Sequence, residues 1–141
     1  MEFSVQNMKD INNNTLYKTV GIFVEKARNG QARSSLRPNK DLCWPFEGQP
    51  HGGVLFTLMD TTMAWAVLTG VEEGYNCATI NLDIQYTGRA LGGIFFCHSR
   101  IIQKGSRIVY ARADIFDENE SLIAAGQGSF RIVRSPYASQ N

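Results

Sequence analysis

The chain has 141 residues, 43% of them hydrophobic and 19% charged, with a formal net charge of +1. That length suits one domain with its own core, and the near-neutral charge leaves no broad footprint for nucleic acid or an anionic membrane. The three cysteines, Cys43, Cys77 and Cys97, are odd in number and lack a C-x-x-C spacing, which excludes a disulfide framework and a zinc pattern and reads as reduced thiols of a cytoplasmic protein.

Residues 1–18 are polar and Asn-rich, with no apolar run for a signal peptide, and residues 1–16 lack clear periodicity. They read as a short helix or a loose arm. Residues 19–26, rich in Val, Ile and Phe, read as a strand. Asn29-Gly30 is a hairpin signal, because a type I′ turn needs positive φ at both central residues. Residues 31–36 are the returning strand. Residues 38–50 hold Pro38, Pro45 and Pro50 and form a loop. From 52 to 68 the chain is apolar on nearly every side and is followed by Gly70, a C-cap residue. Its mostly apolar part, Val54 to Leu68, contains an Asp and three Thr and is too short to span a bilayer. A helix apolar all round is expected to be buried all round, which calls for a sheet wrapped about it.

Four strands follow. Residues 79–87 alternate, with Ile80, Leu82, Ile84 and Tyr86 on one face and Thr79, Asn81, Asp83 and Gln85 on the other. Gly92-Gly93 breaks the chain before a strand at 94–103. A turn at Lys104-Gly105-Ser106 leads to a strand at 107–116, and a polar turn at 117–120 leads to the last strand at 121–133. The strand aromatics Phe95, Phe96, Tyr110, Phe116 and Phe130 are expected in the core. The expected class is α+β, an antiparallel sheet in meander order around a central helix. The division is an N-terminal helix or arm over 1–16, one domain over 17–134 and a tail over 135–141.

The chemistry concentrates in His51-Gly52-Gly53 and, further along the same helix, Asp60. Glycine lets backbone N–H groups approach a ligand, and the first N–H groups of a helix lack internal partners at the positive end of the dipole. Such a donor can stabilise a developing oxyanion; alternatively the glycines make a tight helix entry. Asp60 is costly inside an apolar helix unless paired. It is either a poised base or nucleophile, or an Asp bonded to a neighbouring hydroxyl or facing a wet groove. Gly52 and Asp60 are eight residues apart, about 12 Å at about 1.5 Å per residue. One copy of the helix cannot bring both to one carbonyl, whereas two antiparallel copies related by a twofold axis can.

The run HGGVLFTLMD resembles the signature of hotdog-fold thioesterases, especially the phenylacetate-degradation (PaaI-like) branch: His-Gly-Gly, six residues, then Asp. ATINLDIQYTGRALGG, the KGSR turn and ENESLIAAGQGSFRIV continue the likeness from 51 to 133. The resemblance implies a hotdog fold and hydrolysis of acyl- or aryl-coenzyme A. Asp60 matches the family's carboxylate, which attacks the thioester or activates water. Gly52 matches the backbone donor that polarises the carbonyl, from the other subunit, and Thr79 a hydroxyl that holds water or the carboxylate. His51 and Gly53 are expected at the substrate, and His51 matches a family residue that more often holds the turn than does chemistry. The turn Lys104, Gly105, Ser106 and Arg107 resembles the family's coenzyme A-binding turn, and Arg89 is a further cation expected beside the phosphates; the alternative for the turn is solvated residues. The resemblance also implies a homodimer paired into a tetramer and no cofactor or metal. One departure stands out: the family often carries Asn or Gln six residues before the His, where this chain has Pro45, with Gln49 nearby.

Two other readings are open. A hotdog hydratase needs an Asp/His pair, and His98 has no acid at a matching offset. A non-catalytic acyl-CoA-binding module, a sensor or scaffold, would usually have lost the helix carboxylate, which is kept here as Asp60. No dinucleotide fingerprint, phosphate loop or Cys/His cluster is present. The acyl group is not legible.

Overall fold

In the computed structural model, residues 5–42 and 49–137 are described. The hairpin forms as expected. Asn29 and Gly30 take φ of 51° and 74°, and they join β1 (Ile22–Arg28) to β2 (Gln31–Leu36). Ahead of it lie α1 (Val5–Asn12) and α2 (Thr15–Val20). The strand expected over 19–26 is therefore corrected at its start: Thr19 and Val20 are helical. The Asn14 side chain accepts the Tyr17 N–H to open α2, and Gly21, at φ 97°, closes it. These two caps override the β-preference of Thr and Val.

The central helix, α3, spans Gly52–Leu68. Its cap differs from expectation: Thr69 ends it in a right-handed conformation, and Gly70 is not among the positive-φ glycines. Leu58, Met59 and Met63 are fully buried against Leu36, Phe95, Ala111, Ile115 and Phe130 of the sheet. The helix is not buried all round, however. Gly53 and Phe56 are exposed, and Thr57, Asp60 and Ala64 are only partly covered. Their helical spacing places them on one stripe.

β3 (Tyr75–Tyr86), β4 (Phe95–Lys104), β5 (Ile108–Phe116) and β6 (Leu122–Arg134) complete a six-stranded sheet of order β1-β2-β4-β5-β6-β3. Every described pairing is antiparallel. The expected simple meander is thus corrected. β3 does not pair with β4 but crosses to the far edge beside β6, while β2 takes the place next to β4. α3 lies between β2 and β3 in sequence and carries the chain over the sheet. Among the aromatics, Phe95 and Phe130 are fully buried as expected, whereas Tyr110 is 46% exposed, because it stands on the sheet face away from α3. The architecture is the expected α+β hotdog, an antiparallel sheet wrapped around a long helix.

β6 explains how closely the helix approaches. A Cβ on Gly126 would lie 2.5 Å from both Asp83 O and Met59 Sδ, and one on Gly128 3.0 Å from Met63 Sδ. These glycines let α3 settle onto β6 with Met59, the neighbour of Asp60, against the strand backbone. Gly126→Ala is expected to lower stability by about 1–3 kcal/mol through overpacking, read as a fall in the urea midpoint at unchanged m-value.

Candidate functional site

His51 builds the start of α3. Its Nδ1 accepts the Gly53 N–H at 2.9 Å, and its carbonyl accepts the Val54 N–H at 2.8 Å. Two of the first-turn donors are thereby satisfied. Among the described residues, no hydrogen bond occupies the Gly52 N–H. From β3, the Tyr86 hydroxyl donates to the Gly52 carbonyl at 2.7 Å. A Cβ on Gly52 would lie 3.3 Å from the Tyr86 ring, so glycine permits this close approach. The first peptide of α3 is held from both sides while its N–H stays open.

Asp60 sits in the middle of α3 on the partly covered stripe. The Thr79 hydroxyl donates to Asp60 Oδ1 at 2.7 Å. Strict alternation placed Thr79 opposite Leu82 and Ile84, and the structure corrects this. The pairing of β3 with β6 slips between Thr79 and Asn81: Thr79 faces Phe130, Asn81 faces Ser129, and Ile80 is left unpaired. Before this bulge the odd residues Cys77 and Thr79 point at α3; after it the even residues Leu82, Ile84 and Tyr86 do. A bulge re-aims side chains in this way, and Ile80 is turned out to 54% exposure.

Tyr17 and Cys77 lie within reach of the carboxylate's charge, and Trp65 holds Tyr17. The Trp65 indole N–H donates to the Tyr17 hydroxyl at 2.9 Å. Burial pushes the Tyr17 phenol up; the Trp65 bond opposes this and the Asp60 charge adds to it. Burial, then the Asp60 charge, raises the Cys77 thiol to about 11. Nothing in the spacing of the chain pointed to Tyr17, which reaches the site from α2. Alternation puts Tyr86 on the same face of its strand as Leu82 and Ile84, but its bond to Gly52 is not legible in the sequence.

The remaining expected residues lie elsewhere. Lys104 Nζ donates to Gly70 O at 2.5 Å, beyond the far end of α3. The turn closes through the Gly105 N–H to Ile108 O at 2.8 Å. Lys104, Gly105 and Ser106 line a cavity of about 310 Å³ together with Gly70, Glu72 and Tyr75; Arg107 is exposed and outside that lining. Arg89 is exposed in the loop after β3. Pro45 lies outside the described residues. Within one chain, Asp60 and Thr79 meet, whereas Gly52, Asp60 and the Lys104 turn occupy the start, middle and far end of α3. Among the described residues no helix is long and apolar enough to cross a membrane.

Known proteins resemble this chain along most of its length. A family model described as the thioesterase superfamily matches residues 48–124. The Halobacterium salinarum protein named "Putative esterase VNG_1336C" is 31% identical over 134 residues, covering 88% of each chain. Thioesterase HI1161 from Haemophilus influenzae superposes with a TM-score of 0.86 at 19% identity, over 95% of this chain and 93% of that one. The E. coli PaaI protein, from the phenylacetic acid degradation operon, superposes with a TM-score of 0.78 at 18% identity, over 89% and 88%. At these identities the two structures speak for the fold alone.

Proposed function

This chain belongs to the thioesterase superfamily, whose chemistry is ester and thioester hydrolysis, and on that premise we propose that it hydrolyses acyl- or aryl-coenzyme A in the manner of the PaaI-like branch. Water and the thioester give the free acid and the coenzyme A thiol. The observation that carries this reading is the Thr79 hydroxyl bonded to Asp60 Oδ1 at 2.7 Å. It fixes a mid-helix carboxylate on the partly covered stripe and leaves Oδ2 for the reaction. Asp60 either attacks the carbonyl carbon or takes a proton from the attacking water. The Gly52 N–H of a second copy stabilises the oxyanion. Water supplies the proton that the departing thiolate takes up, so the reaction calls for no cofactor or metal.

The open edge of the sheet supports a shared site. The β1 edge is covered: Asn12 Nδ2 donates to Val24 O at 2.8 Å and its Oδ1 accepts the Val24 N–H at 2.7 Å. No such cover lies over β3 among the described residues, and Tyr75, Ile80 and Tyr86 on it are 48%, 54% and 50% exposed. An unprotected edge strand is a template for another strand. A twofold pairing along β3 would bring two copies of α3 side by side and antiparallel, and would cover the Phe56 stripe. A tetramer of two such dimers is the proposed assembly. The cavity at Lys104, Gly105 and Ser106, with Arg89 and Arg107, is the proposed path of the coenzyme A phosphates. The free thiols Cys77 and Cys97 support a reducing, cytoplasmic setting.

A thiol-release assay over a panel of acyl- and aryl-coenzyme A thioesters tests the reading. Release with at least one thioester is expected; binding of the panel without release would replace the hydrolase with a non-catalytic acyl-CoA-binding module. Thr79→Val removes one bond to a charged group, worth about 1.5–3 kcal/mol, so kcat is expected to fall about 10- to 100-fold. Thr79→Ser should retain most of the rate in the same assay.

A further inference from the structure

The face of the sheet turned away from α3 carries a second feature, unrelated to the carboxylate site. In β4 the buried residues Phe95, Cys97 and Ser99 alternate with Phe96, His98 and Arg100, and in β5 the buried Val109, Ala111, Ala113 and Ile115 alternate with Tyr110, Arg112 and Asp114. The second set of each strand therefore lines the outer face. The registers assemble it into two cross-strand rows. Lys26 pairs with Arg33, Arg33 with His98, and His98 with Asp114; beside this row, Arg28 pairs with Gln31, Gln31 with Arg100, and Arg100 with Arg112. At about 4.8 Å between strands and about 3.3 Å per residue, the grid measures about 14 by 7 Å.

These eight residues line a groove of about 440 Å³, within the range of small-ligand sites. Five of them are cations, and Asp114 is the one carboxylate among the lining residues. The whole chain carries a net charge of only +1, so positive charge is concentrated on this wall. Arg33 is held in place: Glu25 Oε2 lies 2.8 Å from its Nε, out of line for a hydrogen bond but close enough for an ion pair. Its guanidinium stacks 4.8 Å from the centre of the Phe96 ring. Arg100 and Arg112 are different. They stand directly opposite each other, and no ion pair or hydrogen bond to either guanidinium is seen among the described residues. Like charges directly opposed across strands are destabilising, and a fold keeps such a conflict where function needs it.

We infer that this outer groove binds a small anion of the di- or triphosphate class, clamped between Arg100 and Arg112 with Lys26 and Arg28 at the rim. Guanidinium forks grip phosphate oxygens in pairs, and the opposed pair Arg100 and Arg112, about 5 Å apart across the strands, can hold neighbouring phosphates of a chain of two or three. A second copy of the chain fits worse, because a twofold contact centred on the arginine pair would set guanidinium against guanidinium. The phosphates can belong to inorganic polyphosphate or to a nucleotide. The inference does not depend on the proposed hydrolysis.

Isothermal titration of the full chain with inorganic tripolyphosphate at low salt tests it, beside the Arg100→Gln/Arg112→Gln double variant and Asp60→Asn. Wild type and Asp60→Asn should bind equally, more weakly as salt rises. The double variant should lose at least about tenfold in affinity while melting no lower than wild type without ligand, since the opposed charges are gone. Displacement of tripolyphosphate by ATP would name a free nucleotide as the source, and displacement by neither ATP nor coenzyme A inorganic polyphosphate; both keep the inference, whereas displacement by coenzyme A but not ATP would make the groove part of the thioester site and overturn it as a separate site. It is overturned if tripolyphosphate does not bind, or if the double variant binds it unchanged. Tighter binding of a single-stranded oligonucleotide, or a change of oligomeric state in the double variant without tripolyphosphate binding to wild type, would also overturn it.

Discussion

Asp60→Asn is expected to lower kcat for thioester hydrolysis by about 100-fold or more, the loss typical of a positioned base. Asn keeps the shape, and its Oδ1 can still accept the Thr79 hydroxyl that lies 2.7 Å from Asp60 Oδ1. What disappears is the charge and the basicity. Stability should hold or rise slightly, because a partly buried carboxylate is costly in an apolar helix. A second signature is independent of turnover. The Cys77 thiol stands at about 11, raised first by burial and then by the Asp60 charge. Removing that charge favours the thiolate, so the variant's Cys77 should titrate lower. Alkylation rate against pH reads the shift. A variant with full activity would remove Asp60 from the mechanism, whatever the thiol does.

Gly52→Pro is expected to cost about 100- to 1,000-fold in kcat, as the loss of one oxyanion donor does. The substitution deletes the backbone N–H and adds a ring. Gly52 is the first residue of α3, where proline is well tolerated because that N–H has no helical partner. His51 has φ −57° and ψ 142°, the extended conformation that a residue before proline prefers. A new side chain must displace the end of the Tyr86 ring, 3.3 Å from the Cβ position. Gly52→Ala meets the same ring yet keeps the N–H, so the ratio of the two variants isolates the donor. Both should fold, as judged by circular dichroism. Equal rates for Ala and Pro would show that Gly52 serves only the helix entry.

The legible parts of this protein are those set by local chemistry. Asn29-Gly30 dictates its own turn, and the apolar run from 52 to 68 matches the helix observed. His51, Gly52 and Asp60 could be picked out because glycines at a helix start and an acid inside an apolar helix each break a rule that ordinary core sequence obeys. What depends on pairing across the chain was not legible. The crossing of β3 to the β6 edge is a choice of partner, and no property of residues 79–87 states it. Thr79 was named through family likeness, yet alternation placed it on the wrong face; only the slip opposite Phe130 and Ser129 turns it toward Asp60. Tyr17 and Trp65 meet across 48 residues, beyond any periodicity. The two helical residues at 19–20 were misread because the deciding signals, Asn14 and Gly21, lie outside the β-rich stretch they punctuate.

The most direct test of the shared site uses a mixed dimer. Asp60→Asn and Gly52→Pro subunits, carrying different tags and co-expressed, are purified together through both tags, and thiol release is measured. Each mixed dimer then holds one interface site with neither defect and one with both. The account predicts about half the wild-type kcat per dimer, from two parents that are each nearly inactive. A mixed dimer as slow as its parents would contradict it, because Asp60 and Gly52 would then not act on one thioester across the subunit boundary.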